Sequence, residues 1–164
     1  MGKILGDIKG KYVVISGDSS IGKGTVVWHF VNIYDSIIGE NCKIASHVEI
    51  GGSKVGNHCK IEAFVSIPPG ATIGNHVFIG PGVRFANDKY PSVDPVWNVG
   101  NITVKDHAKI GMGALILPGV VVGEYAFIAA GALIAKDVPP DTFAMGTGPA
   151  HHIHKSVFDK VEIL

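Results

Sequence analysis

Apolar side chains recur at every sixth position along most of this chain. The interval shortens to five residues at two steps, Ile33 to Ile38 and Ile50 to Val55, and one long gap precedes Val104. The series comprises Ile15, Ile21, Val27, Ile33, Ile38, Ile44, Ile50, Val55, Ile61, Ile67, Ile73, Ile79, Phe85, Val104, Ile110, Ile116, Val122, Ile128 and Ile134. The position four residues after each of these is mostly small. Such a period fits neither a helix nor an ordinary strand, and it is typical of a solenoid of short inward-facing strands.

The hexad pattern predicts an all-β fold, a parallel β-helix of triangular coils. Three hexads give one coil of about 18 residues, and strands of successive coils would pair in parallel about 4.8 Å apart. About six coils are expected over residues 15–138. Residues 1–14 would form an N-terminal cap and residues 139–164 a C-terminal tail. A short capping helix is expected within that tail over residues 157–163, after Ser156.

The gap in the hexad series predicts one protruding loop over residues 86–103. Pro91 and Pro95 lie in this segment, and proline cannot donate to a strand ladder. Insertions in solenoids project as loops from one corner, and loops on rigid scaffolds often carry function. Tyr90 and Trp97 make a purely decorative loop the less favoured interpretation.

Composition and charge narrow the function. The 14 basic and 14 acidic residues balance, and the one arginine is Arg84, so a nucleic-acid partner is not expected. Cys42 and Cys59 occupy inward slots and are interpreted as buried inert thiols, with a disulfide between coils as the alternative. The sequence has no signal peptide and no apolar run long enough to span a membrane, which predicts a cytoplasmic protein.

Several apolar residues fall on the outward side of the predicted strands. Exposed apolar surface of this kind usually marks association, and a three-sided prism packs naturally as a closed trimer. A homotrimer is therefore expected. The outward positions are Val26, Phe78, Leu115, Val121, Phe127 and Leu133, with Phe30 and Phe64 in the turns.

Four segments resemble the hexapeptide-repeat acyltransferases, and most closely the N-acetyltransferases that act on nucleotide-linked amino sugars. The resemblance covers nearly the whole chain and implies a left-handed β-helix that uses acetyl-CoA as cosubstrate, with sites at the interfaces of a homotrimer. The acceptor would be a dTDP- or UDP-linked amino sugar. The segments are Val27-Trp-His-Phe-Val-Asn-Ile33, Phe78-Ile-Gly-Pro-Gly-Val-Arg-Phe-Ala-Asn-Asp-Lys-Tyr-Pro91, Ile128-Ala-Ala-Gly-Ala-Leu-Ile-Ala-Lys-Asp-Val-Pro-Pro140 and Met145-Gly-Thr-Gly-Pro-Ala150.

The resemblance implies two catalytic residues. His47 matches the position of the general base in one branch of these enzymes, and a histidine with a pKa near 6.5 accepts protons well at neutral pH. Ser46 replaces the polar residue, a carboxylate in that branch, that precedes the base. Asn87 matches the loop asparagine that approaches the sugar, although an Asn-Asp turn explains it equally. Should no base be needed, the departing thiolate of CoA could take the proton.

Other positions are implied for binding. Substrate contacts are expected from the loop and the neighbouring turns, and cofactor contacts from two glycine N–H groups and from cationic groups near the phosphates. Glu62 departs from the amide or lysine that is usual there, and His151 stands near the place of a missing tail arginine. The substrate-binding candidates are His29, Glu62, Asp88, Tyr90 and Trp97, and the cofactor-binding candidates are Gly113, Gly131, Lys136 and His151.

Other functions remain open at this stage. They are O-acetylation of another small acceptor, a non-catalytic scaffold, and a metalloenzyme like the γ-class carbonic anhydrases, which share the prism. The last needs paired histidines five residues apart in neighbouring strands, and the repeat has none, so no metal site is expected. His58, His76 and His107 share one turn slot and are interpreted as a solvated corner.

Overall fold

The computed structural model describes residues 2–93 and 98–146 and the backbone of residues 151–154, and these residues contain strands and turns but no helix. The predicted capping helix over residues 157–163 lies outside the described residues. No helix long and apolar enough to cross a membrane occurs among the residues described.

The described residues form 22 short strands. They are β1 (Asp7–Ile8), β2 (Val14–Ser16), β3 (Ser20–Ile21), β4 (Val26–Val27), β5 (Asn32–Tyr34), β6 (Ile37–Ile38), β7 (Lys43–Ile44), β8 (Glu49–Gly51), β9 (Lys54–Val55), β10 (Lys60–Ile61), β11 (Ser66–Ile67), β12 (Ala71–Ile73), β13 (Phe78–Ile79), β14 (Arg84–Phe85), β15 (Ile102–Val104), β16 (Lys109–Ile110), β17 (Leu115–Ile116), β18 (Val121–Val122), β19 (Phe127–Ile128), β20 (Leu133–Ile134), β21 (Thr142–Met145) and β22 (His151–His154).

Consecutive strands belong to different sheets, which makes the chain a three-sided solenoid. The sheets have nine, seven and six strands, and every third strand pairs in parallel, as β4, β7 and β10 do in the nine-stranded sheet. Of the strands in the described part of the chain, only β21 and β22 pair antiparallel. The predicted parallel β-solenoid is confirmed.

The solenoid has about seven coils, one more than the sequence predicted. The difference lies at both ends. Ile4 bridges to Ile21 and β1 pairs with β4, while β21 pairs with β19. These segments lack the hexad pattern, because an end strand contacts a neighbouring coil on one side only.

The hexad residues fill the interior. Ile21 through Ile134 in that series are at most 5% exposed, and the twelve largest fully buried side chains are all isoleucines. Burying an isoleucine contributes roughly 1.5–3 kcal/mol, and stacking identical side chains in register repeats that gain at every coil. The period of six is therefore the packing period of the core.

Each coil turns three corners, and nearly every corner uses one residue with a left-handed backbone. We call the corner between the six- and nine-stranded sheets corner 1, that between the nine- and seven-stranded sheets corner 2, and that between the seven- and six-stranded sheets corner 3. Eleven of these residues are not glycine. They are Tyr12, Phe30, Asp35, Asn41, His47, His58, Phe64, His76, His107, Tyr125 and Asp141, with φ between 47° and 63°.

Small polar side chains satisfy the backbone inside two corners. Ser19 Oγ accepts the N–H of Ser36, and Ser36 Oγ accepts the N–H of Ser53 in the next coil. Cys42 Sγ donates to the Gly56 carbonyl at 3.1 Å. Both cysteines are buried free thiols, which agrees with their interpretation as small core residues.

The inserted loop leaves corner 3 after Phe85. Its ends are tied together by the Gly100 N–H, which donates to the Asn87 carbonyl at 2.6 Å. β15 begins at Ile102, so Ile102 and Thr103, expected to be part of the loop, already pair with β12. Ile102 is buried, so β15 begins two residues earlier than the sequence predicted.

Replacing Gly56 with alanine tests the close approach of neighbouring coils. A Cβ at Gly56 would lie 2.6 Å from the carbonyl oxygen of Gly74, and backbone cannot move aside as a side chain can. We expect Gly56→Ala to lower the free energy of unfolding by about 3 kcal/mol in chemical denaturation. Gly82→Ala is the control, because its Cβ meets open space and only its φ of +69° is strained, for about 1 kcal/mol. Equal losses in both variants would contradict the close approach.

The Asp106 carboxylate makes the stability of the fold depend on pH in the acid range. Its pKa lies below the ordinary value of 3.8, first because the Asn75 N–H donates to Oδ1 and then because the Asn75 side-chain amide donates to Oδ2. The resulting stabilisation is present above the unfolded-state pKa and is lost as the pH falls through the folded-state pKa. We expect Asp106→Asn to reduce the fall in Tm between about pH 6 and about pH 3, with Glu124→Gln as control. An unchanged fall would contradict this role.

Candidate functional site

Four stacked rings occupy corner 2 in successive coils. The centroids of Tyr12 and Phe30 lie 5.2 Å apart, those of Phe30 and His47 4.8 Å, and those of His47 and Phe64 4.8 Å, with interplanar angles of 6–13°. We call these residues the ring column. They stack because one residue per coil points out of the same corner at the spacing of parallel strands. His47 lies between Phe30 and Phe64 in this column and is exposed.

Three glycines continue corner 2 where the rings end. Gly82, Gly113 and Gly131 have φ of +68° to +69°, and a Cβ on any of them would meet nothing within 4 Å. We call them the glycine column. Corner 2 therefore changes from bulky rings to bare backbone immediately beyond Phe64.

The glycine column corrects one expectation about donors. The N–H groups of Gly113 and Gly131 were expected to donate to the cosubstrate, but they donate to the Pro81 and Met112 carbonyls at 2.9 and 2.8 Å. Within the described residues, the N–H groups of Met112 and Ala130 have no acceptor. The residues that precede the two glycines thus carry the available donors beside the glycine column, and the glycines contribute open access. Sequence reasoning missed them because side-chain type says nothing about which N–H a turn uses.

His29 also lies at corner 2, with one of its nitrogens occupied. Its Nδ1 accepts the Lys11 N–H at 2.9 Å, and its ring is tilted against Trp28 at 6.3 Å. An accepting Nδ1 carries no proton, so the neutral ring is protonated at Nε2 and presents a donor. This geometry gives His29 a structural contact on one edge and leaves a hydrogen-bond donor on the other.

Glu62 lies on the nine-stranded sheet side of corner 2. Its carboxylate pairs with the Lys60 ammonium at 2.6 Å, and the Glu62 side chain is 25% exposed. The same ammonium lies 5.6 Å from the Phe78 ring centroid. Glu62 is thus held within a surface ion pair.

The loop residues cluster at corner 3. Asn87 Nδ2 donates to the Pro69 carbonyl at 2.9 Å, and Asp88 Oδ1 accepts the Tyr90 N–H at 2.9 Å. Both contacts fix the start of the loop, so each side chain has a local structural role. Tyr90 is 78% exposed. Trp97 lies outside the described residues.

The two remaining cofactor candidates lie at the C-terminal end of the solenoid. Lys136 is exposed after β20 at corner 3. His151 begins β22, where its backbone pairs with Met145. The position of the His151 side chain lies outside the described residues.

The candidate residues divide between two corners of one protomer. His29, His47, Glu62 and the glycine column lie at or beside corner 2, whereas Asn87 and the loop lie at corner 3. Five residues separate corner 2 from corner 3 along a coil, which is about 16 Å at the rise of a strand. Asn87 also lies two coils beyond His47 along the solenoid axis, which adds about 10 Å. His47 and Asn87 are therefore not brought together within one chain.

Corner 1 carries a second stack that belongs to neither group. His58, His76, His107 and Tyr125 stack at centroid distances of 4.6–4.9 Å. The corner position that the sequence predicted for the three histidines is correct. Their rings stack on one another and on Tyr125. In the part of the chain that the structure describes, no group of three or more His, Cys, Asp or Glu side chains is placed to hold a metal ion.

The comparison with protein families assigns the fold. Residues 18–52, 52–87 and 101–136 match the bacterial transferase hexapeptide family, a model of six repeats. Because these matches cover more than half of the chain, the protein belongs to the hexapeptide-repeat transferase family. A search of curated protein sequences gave no significant match.

Solved structures of acyltransferases share the solenoid. The UDP-N-acetylglucosamine acyltransferase of Francisella novicida is 22% identical with a TM-score of 0.70, covering 91% of this chain and 66% of its own. PerB of Caulobacter crescentus, in complex with CoA and GDP-perosamine, is 25% identical with a TM-score of 0.54, covering 90% and 57%. AntD of Bacillus cereus, an N-acyltransferase in complex with dTDP and CoA, is 17% identical with a TM-score of 0.57, covering 96% and 88%. This chain therefore spans just over half of the PerB chain and about two thirds of the Francisella one.

Proposed function

We propose that this protein is an acetyl-CoA-dependent N-acetyltransferase that acts on a nucleotide-linked amino sugar, with dTDP or UDP as the nucleotide. Family membership supports an acyltransferase, and neighbours solved with CoA support an acyl-CoA cosubstrate. PerB and AntD, bound to a GDP-linked sugar and to dTDP, make a nucleotide-linked acceptor the favoured class. The expected cytoplasmic location stays a prediction.

The observation that carries the proposal is the division of the candidate residues between corners 2 and 3. The base candidate His47 lies at the corner where strands of the seven-stranded sheet begin, and the loop residue Asn87 lies at the corner where they end. The cofactor candidates are separated in the same way, with Gly131 at corner 2 and Lys136 at corner 3. In a homotrimer, corner 2 of one protomer would face corner 3 of the next, which joins both pairs in one interfacial site.

Exposed apolar side chains support the trimer. Ile37 is 51% exposed, Leu115 is 37% exposed and Phe64 is 55% exposed in the single chain. Surface of this kind is usually covered by association in soluble proteins.

The corner 2 groups suit acetyl transfer to an amine. The amine nitrogen attacks the thioester carbonyl, the C–S bond breaks after the tetrahedral intermediate, and CoA leaves as the thiolate. His47 takes the proton that the amine loses. The unpaired N–H groups of Met112 and Ala130 are available to donate to bound acetyl-CoA along the glycine column. Asn87, Asp88, Tyr90 and Trp97 are assigned to the acceptor from the next protomer.

The first test is the release of free thiol from acetyl-CoA in the presence of dTDP-, UDP- and GDP-linked amino sugars, with mass spectrometry of the products. We expect a gain of one acetyl group on one of these sugars. The matched sugar with a hydroxyl in place of the amine should give no product. Acetylation of that hydroxyl sugar alone would replace the proposal with O-acetyl transfer. Binding of acetyl-CoA without turnover on any amine would contradict the acceptor class.

Replacing His47 tests the base. Asparagine tolerates the left-handed backbone of this position, where φ is 60°, so His47→Asn should fold normally. Turnover should fall by about 100-fold or more, because a positioned general base contributes on that order. His29→Asn is the comparison variant, and a smaller loss is expected there because the accepting His29 Nδ1 cannot take a proton. Unchanged turnover in His47→Asn would assign the proton to another group, such as the thiolate of CoA.

A further inference from the structure

We propose that Phe30 and Phe64 are positioning residues that hold the His47 imidazole in its reactive orientation by stacking on both of its faces. This inference rests on the proposed function, because it concerns the residue assigned there as the base. Stacking would take the place of the carboxylate that commonly orients a catalytic histidine.

The geometry encloses both faces of the imidazole. The Phe30 and Phe64 centroids each lie 4.8 Å from the His47 centroid, at interplanar angles of 13° and 6°. Offset and parallel stacking at this distance is attractive, by about 0.5–1.5 kcal/mol for each pair. With a ring on each side, the imidazole cannot turn about its Cβ–Cγ bond without colliding with a neighbour. The residue itself remains exposed, so the stacked ring is accessible from solvent.

No polar group shares this task. Among the residues that the structure describes, the His47 side chain has no hydrogen-bond or ion-pair partner, and it is exposed between the two rings that stack on it. His29 differs, because the Lys11 N–H occupies its Nδ1. His47 is therefore the corner 2 histidine whose two nitrogens are both available for chemistry, and aromatic contacts are what fix its orientation.

Phe30, His47 and Phe64 stand on the left-handed backbone that nearly every corner of the solenoid uses, with φ of 57°, 60° and 63°. This conformation costs roughly 1–2 kcal/mol for a residue with a side chain. Glycine avoids that cost and fills the same corner in the later coils, at Gly82 and Gly113. The rings beside His47 therefore stand at positions that glycine would occupy without strain.

We call Phe30 and Phe64 together the clamp, and a residue of the next coil holds the backbone of Phe64. Arg84 Nη1 donates to the Phe64 carbonyl oxygen, which ties the Phe64 backbone to β14. Beyond Phe64 the corner is open at Gly82. Phe64 is thus one coil before Gly82, and His47 is two coils before it, about 10 Å along the axis.

The test compares three variants in steady-state kinetics and in NMR spectra of the His47 ring protons. Phe64→Gly removes one ring at a position whose backbone favours glycine, and Phe64→Tyr restores a ring. His76→Gly is the matched control, because it removes a ring stacked on both faces at the same backbone conformation in corner 1.

We expect Phe64→Gly to lower kcat by about 10- to 100-fold with KM for both substrates nearly unchanged, since a small misplacement of a catalytic group has effects of this size. Its His47 ring-proton signals should lose the part of the ring-current shift that Phe64 contributes, while Phe30 still stacks on the other face. Phe64→Tyr should recover kcat to within about twofold of the parent protein, and His76→Gly should leave kcat and the His47 signals unchanged.

Three results would overturn the inference. Unchanged kcat in Phe64→Gly, with His47→Asn inactive, would leave His47 as the base and remove the clamp. A higher KM for acetyl-CoA at unchanged kcat would make Phe64 a binding contact instead. Full activity of His47→Asn would remove the base itself. That result is a failure of the role that the proposed function gives to His47, and it is distinguished by that variant alone.

Discussion

The structure depends on one constraint, that each coil must turn three corners and still stack on its neighbours about 4.8 Å apart. A left-handed residue at nearly every corner turns the chain sharply enough, and inward isoleucines hold the coils in register. Glycine is required where coils approach most closely, as at Gly56, whose Cβ would collide with Gly74. Every other feature of the molecule follows from this geometry, including where side chains can leave the prism.

Corner residues of successive coils form columns, and the columns define the surface chemistry. Corner 2 holds rings in its first half and glycines in its second, and corner 1 holds histidines. A single residue in each coil therefore decides whether a corner is aromatic, charged or bare. His47 lies within the aromatic part of corner 2, one ring away from the bare part, which is where a base and a bound thioester would have to meet.

The fold could be predicted from the sequence because the hexad period is also the packing period of the core. The end coils could not, since Ile4 bridges to a coil on one side only, and Phe143 pairs with a coil on one side and with the antiparallel β22 on the other, so neither needs the periodic pattern. The family resemblance identified the candidate residues, but it did not predict that they divide between corners 2 and 3. The sequence gives no distance between corners 2 and 3, and the stacking on His47 depends on the left-handed backbone, which aromatic residues rarely adopt.

The donor groups at corner 2 show a further limit of sequence reasoning. Gly113 and Gly131 match a motif, yet their N–H groups bond to the preceding coil, and within the described residues it is the neighbouring Met112 and Ala130 whose N–H groups have no acceptor. Hydrogen bonding between coils decides which groups remain available, and residue identity does not report it. The role of a motif glycine is here the space that it leaves.

The most direct test of the account is to mix two variants that each lack one half of the site. His47→Asn and Asn87→Ala would be unfolded together, refolded as mixed trimers and assayed for acetyl transfer. A site formed by corner 2 of one protomer and corner 3 of the next predicts recovery to about one quarter of the parent activity, because random assembly leaves that share of sites intact. Activity no higher than that of the separate variants, with mixed trimers confirmed by native mass spectrometry, would contradict the interfacial site.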